Sequence, residues 1–300
     1  MSKVVEVKGK KYLYETNYKD NEHLRKSFND LAQKTFGIDF EEWYQEGYWG
    51  EGYIPYSLID DGKVVANVSA SIMKFMLNGE KKTYIQIGTV MTADKYRKMG
   101  LGRFLMEKVI GEWKDKCDLI YLFANDSALN FYPKFGFVKS DEYEYSTSKI
   151  NISESSSVRK INLDDYRDRN IFINIIENTK VFSKLAIMNN INLVMFYCIS
   201  FMKNDIYFIE EYNSIVIANF FEDTLYIQEV FAINDAELEN IIGKMISNDI
   251  NKVVLGFTPI NTLLYDEKIL DEEDTTLFIM AKDKNPIELG KLRFPILSHA

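Results

Sequence analysis

Cysteine is almost missing from this chain of 300 residues: only Cys117 and Cys198 occur, one in each half. Two thiols that far apart offer no metal-ligand spacing and no disulfide framework. They point to reduced, structural cysteines in a cytosolic protein, with no metal. Long uncharged apolar runs are missing too. The opening "MSKVVEVKGKKYLYE" has no sustained apolar core of the kind a secretory leader needs. The most apolar helical stretch, 181–202, contains Asn189, Asn190 and Asn192 and reads as a buried helix, not a membrane span. An excess of basic charge is absent as well. The net charge is −9, and residues 1–150 balance 22 Lys and Arg against 22 Asp and Glu, so the second half carries the whole deficit. With no broad basic face to neutralise phosphates, a nucleic-acid partner is excluded. Glycine is scarce after residue 150, with 3 against 12 before it. What the chain does have is 46% hydrophobic residues, with 20 Phe and 19 Tyr, enough for two ordinary cores. The polar run "STSKINISESSSVRK" (146–160) is the linker candidate, dividing the chain into 1–153 and 154–300.

The first half reads as an α/β domain. Asp20 and Asn21 are caps for a helix bearing Leu24, Phe28, Leu31 and Ala32 at helical spacing. Two hairpins follow, "YSLIDDGKVVANVSASIM" turning at Gly62 and "FMLNGEKKTYIQIGTVM" turning at Asn78-Gly79. A helix over 100–116 has Leu101, Leu105, Val109, Ile110 and Trp113 on one face. The apolar strand "LIYLFA" (119–124) comes next, then a helix of about ten residues from Asp126. The strands flanking the helix 100–116 are expected to be parallel neighbours.

Between the second hairpin and that helix stands "TADKYRKMGLGRFLM" (92–106). Gly100 and Gly102 allow close backbone approach, and the amides from Lys98 to Arg103 lie where a helix begins and have no helical acceptor. With the positive end of the helix dipole and with Arg97, Lys98 and Arg103 nearby, this is an anion site suited to a pyrophosphate. An ordinary glycine-bearing helix start would look the same over six residues. The pattern Arg97-Lys98-Met99-Gly100-Leu101-Gly102 is joined downstream by "NDSALNFYPKFGF" (125–137), with Asn125, Ala128, Phe131-Tyr132 and Gly136-Phe137. Together the two motifs resemble the GNAT superfamily of acyl-CoA N-acyltransferases over roughly residues 10–145. Asp94 stands where many members have proline.

The resemblance implies acetyl-CoA as cosubstrate. Its pyrophosphate would be cradled by the amides of Arg97, Lys98, Met99, Gly100, Leu101 and Gly102. The pantetheine would pair with Val90, Met91 and Thr92, and Asn125 would bond to its side. Tyr132 would direct its hydroxyl at the sulfur and protonate the departing thiolate, while a strand amide near Met91 or Thr92 meets the oxyanion. The alternative for Tyr132 is a packed aromatic. No basic residue occurs between Lys34 and Lys63, a span with seven acids and eight aromatics. In the superfamily this region lines the acceptor pocket, and acids with aromatic faces suit a cationic amine. A solvated loop is the competing reading. Glu46 and Glu51 are the base candidates, alongside a water relay.

The second half repeats the first. "LIDDGKVVANVSA" (58–70) parallels "FIEEYNSIVIANFFE" (208–222), and "TYIQIGTVM" (83–91) parallels "LYIQEVFAI" (225–233). A helix at 236–246 and a strand at 252–258 follow. The second copy is shorter where "KYRKMGLG" sits in the first, so it reads as a degenerate fold without a phosphate loop and should not bind CoA. A coincidental α/β pattern is the alternative. Such tandem GNAT folds resemble enhanced-intracellular-survival type acetyltransferases, mycothiol synthases and N-myristoyltransferases; the first of these have a third domain for which 300 residues leave no room. The expected activity is cytoplasmic N-acetylation of a small cationic amine by direct transfer. A thiol or hydroxyl acetyltransferase, a non-catalytic acyl-CoA-binding regulator and a protein-lysine acetyltransferase, which would need an open groove, are the alternatives. The apolar tail "KLRFPILSHA" either crosses the cleft, putting the Ala300 carboxylate or His299 near the acceptor nitrogen, or packs for stability alone.

Overall fold

The structure is a computed structural model that describes residues 3–149, 152, 158–188, 190–282 and 284–299; the expected boundary at 153 falls outside them. Strands β1 (Lys3–Val7) and β2 (Lys10–Thr16) form a hairpin with Lys8 and Gly9 at its tip. Helix α1 (Glu22–Phe36) begins where the Asn21 side chain accepts from the Leu24 amide at 3.2 Å, and ends at Gly37 in the left-handed conformation. A short helix α2 (Glu41–Gln45) leads to β3 (Tyr53–Asp60), β4 (Lys63–Leu77) and β5 (Glu80–Thr92). Both turns between these strands, Asp61-Gly62 and Asn78-Gly79, have two successive positive φ values, as tight hairpins require. Helix α3 (Leu101–Trp113) crosses to β6 (Leu119–Ala124), which lies parallel to β5; β7 (Val138–Lys139) and β8 (Tyr143–Thr147) follow.

The expected helix from Asp126 does not form. Two 3₁₀ turns, Asp126–Ala128 and Tyr132–Phe135, take its place. Pro133 has no amide to donate to the Leu129 carbonyl, and its ring crowds the preceding turn. The apolar stretch 181–202 is only partly helical as well. Its first part is β10 (Leu185–Ile187), paired with β4, and α5 (Ile191–Ser200) starts only where Asn190 accepts from the Leu193 amide.

The second half adds β9 (Val158–Lys160) and α4 (Tyr166–Glu177) before β10. After α5 come β11 (Ile206–Ile209), β12 (Ser214–Phe221), β13 (Thr224–Ala232), α6 (Leu238–Met245) and β14 (Lys252–Leu255). β15 (Asp266–Ile269) and β16 (Thr276–Ala281) complete it. The first sheet runs β1-β2-β3-β4-β5-β6-β16-β7, and the second runs β15-β8-β14-β13-β12-β11-β9. The sheets therefore trade strands: β8 enters the second, while β10 and β16 enter the first. Helix α1 packs on one face of the first sheet with Tyr84 and Tyr121, and α3 packs on the other with Ile85 and Ile120. Helix α5 is apolar all round because it has two partners. Leu193 and Phe196 join the α1 face, while Val194, Met195 and Cys198 join Phe172 and Ile175 of α4.

Candidate active site

β5 and β6 are paired only from Tyr84 to Gln86, opposite Leu119 to Tyr121. Beyond that point they diverge, so Ile87 to Thr92 keep no partner on the β6 side. On the β4 side the ladder is broken by a bulge: Gly88 faces Ser69 and Met91 faces Asn67, with one extra residue on β5. The bulge puts Thr89 at φ 47°, a costly value for a β-branched residue. Two bonds hold it there. Asn67 donates its amide to the Thr89 carbonyl at 2.9 Å, and the Tyr53 hydroxyl meets Thr89 Oγ1 at 2.7 Å.

The loop after β5 turns through Asp94–Tyr96 and enters α3 at Gly100. Lys98 at φ 64° and Gly100 at φ 86° alternate with right-handed or extended neighbours, which gathers successive amides into a concave nest. Among the described residues, the amides of 98–103 donate to no backbone carbonyl. At Gly102 an added Cβ would meet nothing nearer than Thr92 Oγ1 at 3.7 Å, so the bare backbone there leaves room for a ligand instead of serving the fold. Asp94, the departure from proline, anchors the loop by binding Lys34 at 2.5 Å and Arg97 at 3.1 Å. One neighbouring cation has no sequence signal. Lys8 comes from the β1–β2 tip, and its side chain lies 3.1 Å from where a Gly100 Cβ would stand.

A cleft of about 800 Å³ opens along the splay. Val90, Met91, Thr92, Arg97, Asn125 and Tyr132 all line it. The Asn125 side chain accepts from Ser127 Oγ at 2.8 Å. Tyr132 is buried, and desolvation pushes its phenol up to about 12, so it stays protonated at neutral pH. Its hydroxyl has no hydrogen-bond partner among the described residues. Lys98, Met99, Gly100, Leu101 and Gly102 stand at the mouth of the helix, outside the cleft lining.

Glu46 and Glu51 are not in the cleft, which corrects their expected role as bases. Glu46 binds Arg169 at 2.7 Å, a partner from the other half of the chain. Glu51 binds Lys19 at 2.6 Å, which holds its carboxyl below the usual range. The aromatics of the same segment are divided. Phe40, Trp43 and Tyr53 reach the cleft, whereas Tyr44 stacks under the Arg25 guanidinium at 3.7 Å. Sequence reasoning missed Leu193, Phe196, Tyr197 and Phe201 of the α5 region, which line the cleft where Phe196 stacks on Phe40. Their helix looked like generic core, and only its position beside Phe40 makes it a site element.

The C-terminal segment runs from the second sheet to the cleft. Ile296 donates to the Gly256 carbonyl at 3.1 Å, Phe294 stacks on Tyr121 at 4.1 Å, and Tyr121 donates to the Ser298 carbonyl at 3.2 Å. His299 reaches the cleft wall, stacked on Phe123 at 3.8 Å, with its carbonyl accepting from the Tyr197 hydroxyl. Burial lowers its imidazole to about 3, so the ring is neutral, and Nε2 has no partner. Ala300 lies outside the described residues.

Residues 18–137 match the family described as the acetyltransferase (GNAT) family. This half of the chain is a GNAT acetyltransferase domain. No curated protein matches the chain in sequence. Among solved structures, a probable N-acyltransferase from Enterococcus faecalis V583 is 17% identical. It covers 97% of this chain and 74% of its own, at a TM-score of 0.57. Eis1 from Mycobacterium abscessus is 10% identical, covering 88% and 72%, at 0.56. A GCN5-related N-acetyltransferase from Kribbella flavida is 15% identical, covering 90% and 71%, at 0.53. These likenesses extend the shared fold over both halves of the chain. Among the described residues no cluster is placed to hold a metal ion, and no helix is long and apolar enough to cross a membrane.

Proposed function

We propose that the chain is an acetyl-CoA-dependent N-acetyltransferase that acts on a small amine by direct transfer. The observation that carries this reading is the alignment of three features: a splayed strand pair and a protonated phenol that line one cleft, and a nest of free amides that follows Arg97 at its edge. The nest takes the pyrophosphate, Val90 to Thr92 offer strand groups to the pantetheine, and the bulge turns an amide toward the thioester oxygen. The amine nitrogen forms a bond to the acetyl carbon as the carbon–sulfur bond breaks. Tyr132 gives its proton to the leaving sulfur, and the surplus proton on nitrogen returns to the phenolate through water.

Only the first half is equipped for this. β13 and β14 stay paired from Thr224 to Ile227, and the space beyond is filled by the chain's own tail: Arg293 Nη1 donates to the Leu255 carbonyl at 3.0 Å. The expected partner is a small molecule, not nucleic acid or membrane. The free, buried Cys117 and Cys198 support a reducing, cytoplasmic setting.

The test is thiol release from acetyl-CoA in the presence of amines, with intact-protein mass recorded during turnover. Amide product with no acetylated protein is expected. Accumulation of an acetyl-enzyme would overturn direct transfer, and acetyl-CoA binding without turnover of any amine would favour the non-catalytic reading.

A further inference from the structure

We propose that the acceptor is a monoamine carried on an aromatic body, held by stacking at the far end of the cleft and not by ion pairing; this rests on the N-acetyltransferase reading above. Charge argues for it first. Among the described residues that line the cleft there is no Asp or Glu, and the one side chain with a formal charge is Arg97, at the pyrophosphate end. Of the seven acids that the sequence gathers nearby, none lines the cleft, and four are paired elsewhere: Glu41 with Arg25, Glu46 with Arg169, Glu51 with Lys19 and Asp60 with Lys10. Among the described residues a di- or polycation would find no counter-ion in the cleft for its second ammonium.

Shape argues the same way. Phe40 and Phe196 lie parallel with ring centroids 5.2 Å apart, Trp43 meets Phe196 edge-on at 5.3 Å, and Phe201 stands 53% exposed at the α5 end. Flat apolar walls of this kind take a ring in offset or edge-on geometry. The polar atoms along them are already used. Trp43 Nε1 donates to the Asn192 carbonyl at 2.7 Å, the Tyr53 hydroxyl is bound to Thr89, and the Tyr197 hydroxyl donates to the His299 carbonyl. His299 Nε2 remains, buried and without a partner. An apolar wall whose other polar atoms are engaged suits a ligand with few polar groups of its own. A sugar or polyamine would leave several of its own donors unmatched. Aromatic faces attract a cation as well, but the nucleophile must be the neutral amine, and stacking serves that form.

The experiment compares kcat/KM for 2-phenylethylamine and for 1,4-diaminobutane. It uses the full chain and three variants: Phe196→Ala, Phe201→Glu and the double variant Glu46→Gln/Glu51→Gln. Acetyl-CoA affinity serves as the folding control. The wild type should favour the aromatic amine at least about 10-fold. Phe196→Ala should raise KM for it by about 10-fold, while the double variant should leave KM unchanged. Phe201→Glu, at an exposed position that the fold tolerates, should move preference toward the diamine. Preference for the diamine in the wild type, or an unchanged KM in both Phe variants, would overturn the inference and leave the transferase reading intact. Turnover of neither amine, with acetyl-CoA still bound, would overturn both.

Discussion

In the proposed mechanism Tyr132 is the proton donor to the leaving sulfur. Removing its hydroxyl should lower kcat by about 10²-fold or more, with a modest change in KM for acetyl-CoA, because the phenol acts on the leaving sulfur and not on binding. Steady-state kinetics of Tyr132→Phe settles this, and a wild-type kcat would return the residue to a packing role. The shared cleft position of Tyr132 and Asn125 was legible in the sequence through the spacing of the motif that holds both. Glu46 and Glu51 were misread for a physical reason. Sequence shows how densely acids are placed but not which way they face, and Arg169 lies 123 positions downstream of Glu46. His299 was legible only as one of two options for the tail. Lys8 was not legible at all, since its nearness to Gly100 depends on how a hairpin folds over the phosphate loop.

At the scale of elements, hairpins and helix starts could be read from local chemistry: Asn78-Gly79 demanded a tight turn, and Asn21 supplied a cap. The ten-residue helix from Asp126 failed on Pro133, a local rule that periodicity had outweighed. β16 between β6 and β7 could not be read. Alternation assigns each residue a face, but it does not say which strand lies alongside. β13 has its own pH signature. Glu229 is buried in it, with the Val230 amide donating to its carboxylate at 3.2 Å, and burial pushes the carboxyl up to about 8. The folded state therefore holds this proton after the unfolded chain has lost it. Stability falls as pH rises from about 4.5 to 8, and the cost is complete above that window. Glu229→Gln should raise the melting temperature at pH 8 by several degrees and leave it nearly unchanged at pH 4, by calorimetric scans at the two values. An equal shift at both would mean that the effect is packing, not ionisation.

Over the whole molecule, the asymmetry of composition follows the reading of the second half as a degenerate copy of the first. Nearly all the glycine sits in the copy that needs a backbone nest, and the copy without one closes its strand gap with the C-terminal segment. The repeat was legible because both copies keep the order of hairpin, helix and strand. The exchange of β8, β10 and β16 was not, and it makes the two halves one interlocked unit. The central claim is that one amide nest, and only one, binds the cofactor. Calorimetric titration of acetyl-CoA into the full chain, beside a Gly102→Glu variant, tests it most directly. A Cβ at Gly102 would make only ordinary contacts, with Thr92 Oγ1 at 3.7 Å and Phe131 at 3.8 Å, and φ there is not positive, so the added carboxylate changes the charge of the nest without breaking the turn. The account predicts one site per chain in the wild type and none detectable in the variant. Two sites per chain, or an affinity unchanged by the substitution, would contradict it.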